Sequence, residues 1–463
     1  MSETFTSVYS LQDQADSPSL LELLNEAFEG AADYAAAQIG SDDTQEVYLC
    51  FLKSLCSSQK LEYLLSMDGQ ADVSARLDRF IGTHLAEGNF TRCQQAICAG
   101  SAIVCKGSSS SGLILNLSES QNRAVGSPVT ENVLQGPMNA FNESLDVNTA
   151  LIRQQIRSSQ LKLWETMIGE ESLTRVAIFS YSGSVDVRLL SQLKEELKGL
   201  KTDSLLDTGQ LQRLLFKGKW RMPLFPMAVS TERPDRVASN LLSGKAAVMV
   251  DGSPFALILP SVYTDFWHSP EDQYVNPYVA YFLLVLRFLA MFINLFLPGM
   301  YVALTSVNVD VNRMEISLAA AASREGVPYP VFVETLLMLI MMDFIIEAGI
   351  RLPKTISSTV TMVGGVVLGQ AIIQAHIVSN LLVIVVAATA ITNFLVIDYQ
   401  MGLIQRILKY FIMAGAAVAG VLGIVFCLSC LIIYLSCLET FGVPYLTSLW
   451  SPTKRSGDSD GDR

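Results

Sequence analysis

The stretch Pro330-VFVETLLMLIMMDFIIEAGI-Arg351 decides the architecture. Its apolar run is long enough to cross a bilayer, which takes about 20 helical residues. It nevertheless holds the carboxylates Glu334, Asp343 and Glu347. A charged carboxylate at mid-membrane costs roughly 2.5–3.5 kcal/mol on insertion scales. Such side chains are expected to face protein or a water-filled path and not lipid. The chain therefore reads as one that moves something across a membrane, or controls what moves.

Working outward, the 463 residues divide into two halves. Up to about Glu271 charged and apolar residues mix as in a soluble protein; from Tyr278 to Cys437 long apolar runs dominate. Five segments, near 279–305, 331–349, 358–378, 381–397 and 411–436, approach spanning length. Pro298-Gly299 reads as a kink or end of the first. Arg351 and Lys354 follow the second segment, and Arg406 and Lys409 the fourth. With the N-terminal half inside, both pairs fall inside, in keeping with the positive-inside bias. Arg313, Arg324, Lys454 and Arg455 then fall outside, and a re-entrant second segment is the alternative.

The fold class expected is an α/β cytoplasmic N-terminal module of two small subdomains, followed by an all-α transmembrane bundle of about five helices. Residues 1–44 read as a poorly ordered segment in which LLELLNEAF and AADYAAAQI form short helices. Residues 45–137 read as a first α/β subdomain and connector. They hold the helix-like VSARLDRFIGTHLAEG, the strand GLILNLS and a hairpin loop at KGSSSSG. Residues 138–270 form the second subdomain. Helical spacing runs over Met138–Arg157, and LKLWETMIG and TRVAIFSYSG are strands. DVRLLSQLKEELKGL is an amphipathic helix, and a hairpin turns at Asp251-Gly252. Residues 271–446 form the membrane domain and 447–463 a disordered tail.

The net charge of −12 excludes a nucleic-acid partner, since phosphate binding needs a basic face. The N-terminus shows no basic region followed by an apolar core, so no cleavable signal is expected and the first half stays in the cytoplasm. No enzyme is expected. The three histidines make no HExxH pair, no serine sits in a hydrolase elbow and no Gly-rich phosphate loop occurs. The eight cysteines form no zinc pattern, and no cofactor or metal is expected.

Asp343, Glu347 and Arg351 stand at i, i+4 and i+8 and so share one helix face. They line an ion path or gate, or they staple helices together. Glu334, one turn after Pro330, reads as interfacial, eased by the helix dipole, or as a further member of the ion path or gate. Gln370 and Gln374 point into a pore or hydrogen-bond a neighbouring helix, and Gly365 and Gly369 have the spacing for close helix approach. Asn393 is open in the same way. Arg324 and Glu325 sit in a turn that caps the interface or couples to other subunits. Glu232, Arg233, Asp235 and Arg236 cap a helix and pair charges at a domain seam, or bind a ligand.

Several of these stretches resemble the GerA family of spore germination proteins, specifically its A-type receptor subunit. SPVTENVLQGPMNAFNESLDVNTALIRQQI at 127–156 carries the likeness through Glu131, Gly136, Pro137, Phe141, Glu143, Ser144, Asn148 and Arg153. TERPDRVASNLLSGKAAVMVDGSPFALILP at 231–260 is similar to the TERPDR and VDG-x-P signatures. SPEDQY, SREGVPYP, EAGIRLPK, GGVVLGQA and FGVPYL follow in the family's order. Residues 1–120 match only loosely. The resemblance implies a subunit of the inner membrane of a bacterial endospore, its N-terminal module facing the spore core. It would act with a B-type integral membrane subunit and a C-type lipoprotein, as a homo-oligomer among membrane lipids. Nutrient sensing would be coupled to ion permeation. The alternatives are a paralogue that amplifies or conducts without sensing, or a non-conducting scaffold of receptor clusters.

Overall fold

The computed structural model describes residues 18–42, 45–65, 87–107, 109–118, 126–128, 130–131, 136–217, 223–308, 321–353, 365, 367 and 369–447. Two α/β units come first and a helical region follows.

In the first unit, α1 (Leu20–Ala27) opens on a capping box in which Ser19 and Glu22 exchange hydrogen bonds. The unit continues with β1 (Tyr34–Asp42), β2 (Gln45–Leu52), α2 (Ser58–Leu65), β3 (Glu87–Gly88), α3 (Phe90–Cys98), β4 (Ser101–Lys106) and β5 (Gly112–Asn116). The strands form one antiparallel sheet ordered β1-β2-β4-β5-β3. The β4–β5 pairing makes KGSSSSG its hairpin loop. The expected helix at AADYAAAQI is instead most of β1, paired along its length with β2. Alanine's helix preference is a few tenths of a kcal/mol per residue. Here the sheet ladder and the packing of Ala35, Ala37 and Ile39 against Leu49 and Val104 outweigh it. Residues 1–44 thus contain a folded helix and strand; 1–17 lie outside the described residues, as do 73–86 of the helix-like stretch.

The second unit comprises α4 (Leu145–Gln155), β6 (Leu161–Ile168), β7 (Thr174–Tyr181), α5 (Val187–Gly199), α6 (Thr208–Phe216), β8 (Val229–Thr231), α7 (Pro234–Leu242), β9 (Ala246–Val250) and β10 (Ala256–Leu259). Its antiparallel sheet is ordered β6-β7-β9-β10-β8. Every residue of β9 and β10 is buried. The helix expected from Met138 starts at Leu145. Asn148 and Asn142 tie the preceding loop down through two hydrogen bonds, and Asp251 of the β9–β10 turn accepts from the Leu145 N–H at 3.0 Å. The two units are joined by the buried pair Arg153–Asp33 at 2.6 Å and by Ala32 N–H on the Leu163 carbonyl.

The helical region contains α8 (Pro277–Val302), α9 (Val331–Arg351), α10 (Asn380–Asn393) and α11 (Tyr399–Cys437). Pro298 does not end α8, which runs on to Val302 and into a π-helical turn, Ala303–Val307. α11 is not one span. Gly420 has φ 60° and ψ −138°, and the helix folds back there. The return leg packs Gly423 on Gly415 and Cys427 near the Phe411 carbonyl, as an antiparallel hairpin requires. Its outer ends, Met401 and Leu435, share one core cluster with the second α/β unit. Its tip meets the end of α8, where Asn308 Oδ1 accepts from the Val421 N–H at 2.9 Å. β11 (Glu439–Thr440) and β12 (Val443–Pro444) then bring Tyr445 onto the α/β unit, its hydroxyl on the Pro226 carbonyl.

Several membrane expectations change accordingly. Arg406 and Lys409 are not in a loop but inside α11. The chain beyond the hairpin returns to the side of the α/β units as far as Tyr445, and Lys454 and Arg455 lie outside the described residues. α10 is 14 residues, about 21 Å at 1.5 Å per residue, too short to cross alone. Of the segment near 358–378 only 365, 367 and 369–378 are described. Two helical stretches, Pro277–Val307 and Tyr399–Cys437, are long and apolar enough to cross a membrane, the second taken end to end across its fold at Gly420. The described residues do not give five crossing helices. Phe282, Phe292, Phe344, Val418, Leu422 and Phe426 turn outward, an apolar exterior suited to lipid and a sign of membrane association.

Candidate functional site

Buried polar side chains gather at three levels of the helical region. Nearest the α/β units, the Asn294 amide of α8 donates to Asn393 Oδ1 of α10 at 3.2 Å and to Gln405 Oε1 of α11 at 2.8 Å. Asn294 Oδ1 and Gln405 Nε2 are buried without a partner among the described residues. Such groups are kept only where the fold or the function needs them, because an unpaired buried amide costs about 1–3 kcal/mol.

One turn along α11 lies the charged level. Lys409 Nζ donates to Asp343 Oδ1 at 3.1 Å and the Tyr410 hydroxyl to Asp343 Oδ2 at 2.5 Å. The lysine side chain is 5% exposed and the aspartate 22%. Asp343 is therefore held by α11 and not by Arg351. Glu347 and Arg351 pair with each other at 2.7 Å on the outside of α9, at 47% and 77% exposure. The shared helix face foreseen for the three thus divides: Asp343 turns into the bundle and the other two form a local surface pair.

The third level holds Glu334. It is buried within the protein, with its side chain unexposed. Arg324 Nε donates to its Oε2 at 3.2 Å and the Ser379 N–H to its Oε1 at 2.6 Å. Ser379 also meets the Tyr301 hydroxyl at 3.1 Å. Arg324 reaches back from the turn before α9, where Gly326 adopts φ 90°; Glu325 beside it is exposed. Gln370 and Gln374 are exposed, and the side chains that hold Asp343 among the described residues are Lys409 and Tyr410. Among the described residues, a Cβ at Gly365 or Gly369 would meet nothing within 4 Å. A close helix approach occurs at Gly415 and Gly423.

The TERPDR residues form a second cluster, in the α/β unit. Glu232 accepts from the Thr130 N–H and hydroxyl and from the Glu131 N–H. Arg233 pairs with Asp235 at 2.7 Å, and the Tyr274 hydroxyl donates to the same Asp235 oxygen. Arg236 pairs with Glu131 at 2.8 Å and donates to the Asp265 carbonyl. Burial pushes the Glu131 carboxyl up from its ordinary range, opposed by Arg236 and the Thr231 hydroxyl. The cluster ties the connector and α7 to the segment leading into α8. There Asp272 grips Arg287 at 2.6 Å and Trp267 stacks on Phe288 with ring centroids 5.3 Å apart. The arrangement can transmit movement of the α/β unit into α8.

Sequence reasoning missed Lys409, Tyr410, Asn294, Gln405, Ser379 and Tyr301 as partners. Lys409 was visible as a cation four residues after Gln405, the spacing of one helix face.

The family model described as Bacillus/Clostridium GerA spore germination protein matches residues 22–459. Spore germination protein GerLA of Bacillus cereus is 34% identical, over 96% of this chain and 90% of its own length. The uncharacterized membrane protein YfkQ of Bacillus subtilis (strain 168) is 31% identical, over 97% of this chain and 89% of its own. Among solved structures, the N-terminal domain of the A subunit of the Bacillus megaterium spore germinant receptor GerK3 superposes only loosely. It is 23% identical with a TM-score of 0.39, covering 52% of this chain and 94% of that one. The chain belongs to the GerA family of spore germination proteins.

Proposed function

We propose that this chain is an A-type subunit of a nutrient germinant receptor that relays nutrient sensing into ion permeation across the inner spore membrane. Its α/β units face the spore core. A B-type membrane subunit and a C-type lipoprotein are its partners, and a homo-oligomer forms the conduit. The observation that carries this reading is the closed Asp343–Lys409–Tyr410 contact, the charged level between two other buried polar levels of the helical region. A paired charge in that setting is held shut at little net energy and is released by a modest shift of one helix. The clamp between Asp272 and Arg287 supplies a route for such a shift.

Potassium release from spores lacking this chain, measured nutrient by nutrient, tests the proposal. Release lost for one nutrient and restored by the intact gene supports it; unchanged release for every nutrient removes the receptor reading. A second reading is a paralogue that conducts or amplifies without sensing. Release impaired equally for all nutrients would select it.

A further inference from the structure

A cavity of about 240 Å³ opens between α5, the outer strands β6 and β7, and the turn at Gly30 that follows α1. Its floor is the Trp164 ring, with Val185, Val187 and Leu190 as apolar walls and the Ser180 and Ser182 side chains at one side. Lys194 and Lys198, one helical turn apart on α5, both hold their ammonium groups 5.7 Å from the Trp164 ring centroid. Neither side chain has an ion pair or hydrogen-bond acceptor among the described residues. Lys162, also at the wall, is already engaged by the Ala27 carbonyl at 2.9 Å. The site thus combines an aromatic floor, hydroxyl donors and unneutralised cations, in a chain whose overall charge is −12. Partial burial and the neighbouring Lys198 pull the Lys194 ammonium below its ordinary range, as expected of a cation that lacks an anion.

We propose that this cavity binds a small planar organic carboxylate, its ring stacked on Trp164 and its carboxylate held by Lys194 with the Ser182 hydroxyl. Liquid water takes about 30 Å³ per molecule, so the space equals about eight waters, room for one aromatic ring bearing a carboxylate. Each lysine now lies over the Trp164 ring, an interaction worth about 0.5–1 kcal/mol at exposed sites. A carboxylate offers Lys194 a charge-assisted hydrogen bond in its place, which is stronger. Because Gly30 belongs to the first α/β unit and the rest to the second, an occupant would bridge the two.

The test is equilibrium dialysis of radiolabelled benzoate against the full chain in lipid nanodiscs, with empty nanodiscs as blank and benzamide as the neutral competitor. Saturable binding of one benzoate per chain, not displaced by equimolar benzamide, is expected. Lys194→Glu should weaken it at least about tenfold, and Lys194→Arg should keep it within about threefold, since a charge-assisted hydrogen bond is worth about 1.5–3 kcal/mol. Val187→Trp, at an exposed rim position, should block the mouth without touching the core. Absence of saturable benzoate binding overturns the proposal. So does benzamide binding as tightly, or benzoate binding unaffected by both Lys194→Glu and Val187→Trp.

Discussion

Lys409 of α11 and Asp343 of α9 meet at 3.1 Å across the helical region, and Tyr410 holds the other oxygen of the same carboxylate. Removing one partner of a buried pair leaves the other charge uncompensated, typically at about 3–5 kcal/mol. Asp343→Asn is therefore expected to lower the thermal unfolding midpoint of the detergent-solubilised chain and to impair potassium release. The double change Asp343→Leu with Lys409→Met should recover most of the stability, since an apolar pair of similar volume is tolerated there. Recovered stability together with normal release would take Asp343 out of the permeation mechanism.

Glu347→Gln is expected to behave differently. Its pair with Arg351 is an exposed i,i+4 contact, a class worth about 0.3–0.5 kcal/mol. The unfolding midpoint should stay within error of the parent. A germination defect at unchanged stability would assign Glu347 a role in contacts with other subunits.

The turn of the α11 hairpin depends on Gly420. At φ 60° with ψ −138° a side chain is strained, and a Cβ would run into Asn308 Oδ1. Gly420→Ala should destabilise by about 1–3 kcal/mol from the backbone conformation, with the steric clash adding to this. Expression level and protease resistance of the solubilised chain report it. Gly402→Ala on the same helix, which meets nothing within 4 Å, serves as the neutral control.

In the α/β unit, stability should fall as pH rises through the raised Glu131 range. Burial lifts its folded-state carboxyl above the ordinary value, so the folded chain holds a proton that the unfolded chain has already lost. The contribution is present below the unfolded value and lost as pH climbs past the folded one. Glu131→Gln should flatten that part of the unfolding-midpoint profile. An unchanged slope would mean that Arg236 compensates the burial in full.

Much of this was legible in the residues. The second α/β unit could be read because β6, β7, α5 and the β9–β10 hairpin each carry their own apolar period and turn residues. β1 could not, because its alanines suit a helix locally and become a strand only beside β2. The α11 hairpin was hidden for another reason. Its turn lies in an unbroken apolar run where no polar residue marks a boundary, and Gly415, Gly420 and Gly423 look alike in sequence. The carboxylates of α9 announced a site, but not their partners. Lys409 stands just before the run read as a span, and Asn294 is a single amide inside another. Which buried group meets which is fixed by helix packing, which residue spacing does not encode.

The folding-back of α11 has a mechanical consequence. The α/β unit holds three rods by their near ends: α8 at Arg287, the outgoing leg at Met401 and the returning leg at Tyr434, whose hydroxyl accepts from the Leu224 N–H. The far ends of the same rods converge where Asn308 meets Val421. A tilt of the α/β unit would thereby reach the Asn308–Val421 contact as a shear among three helices held at both ends.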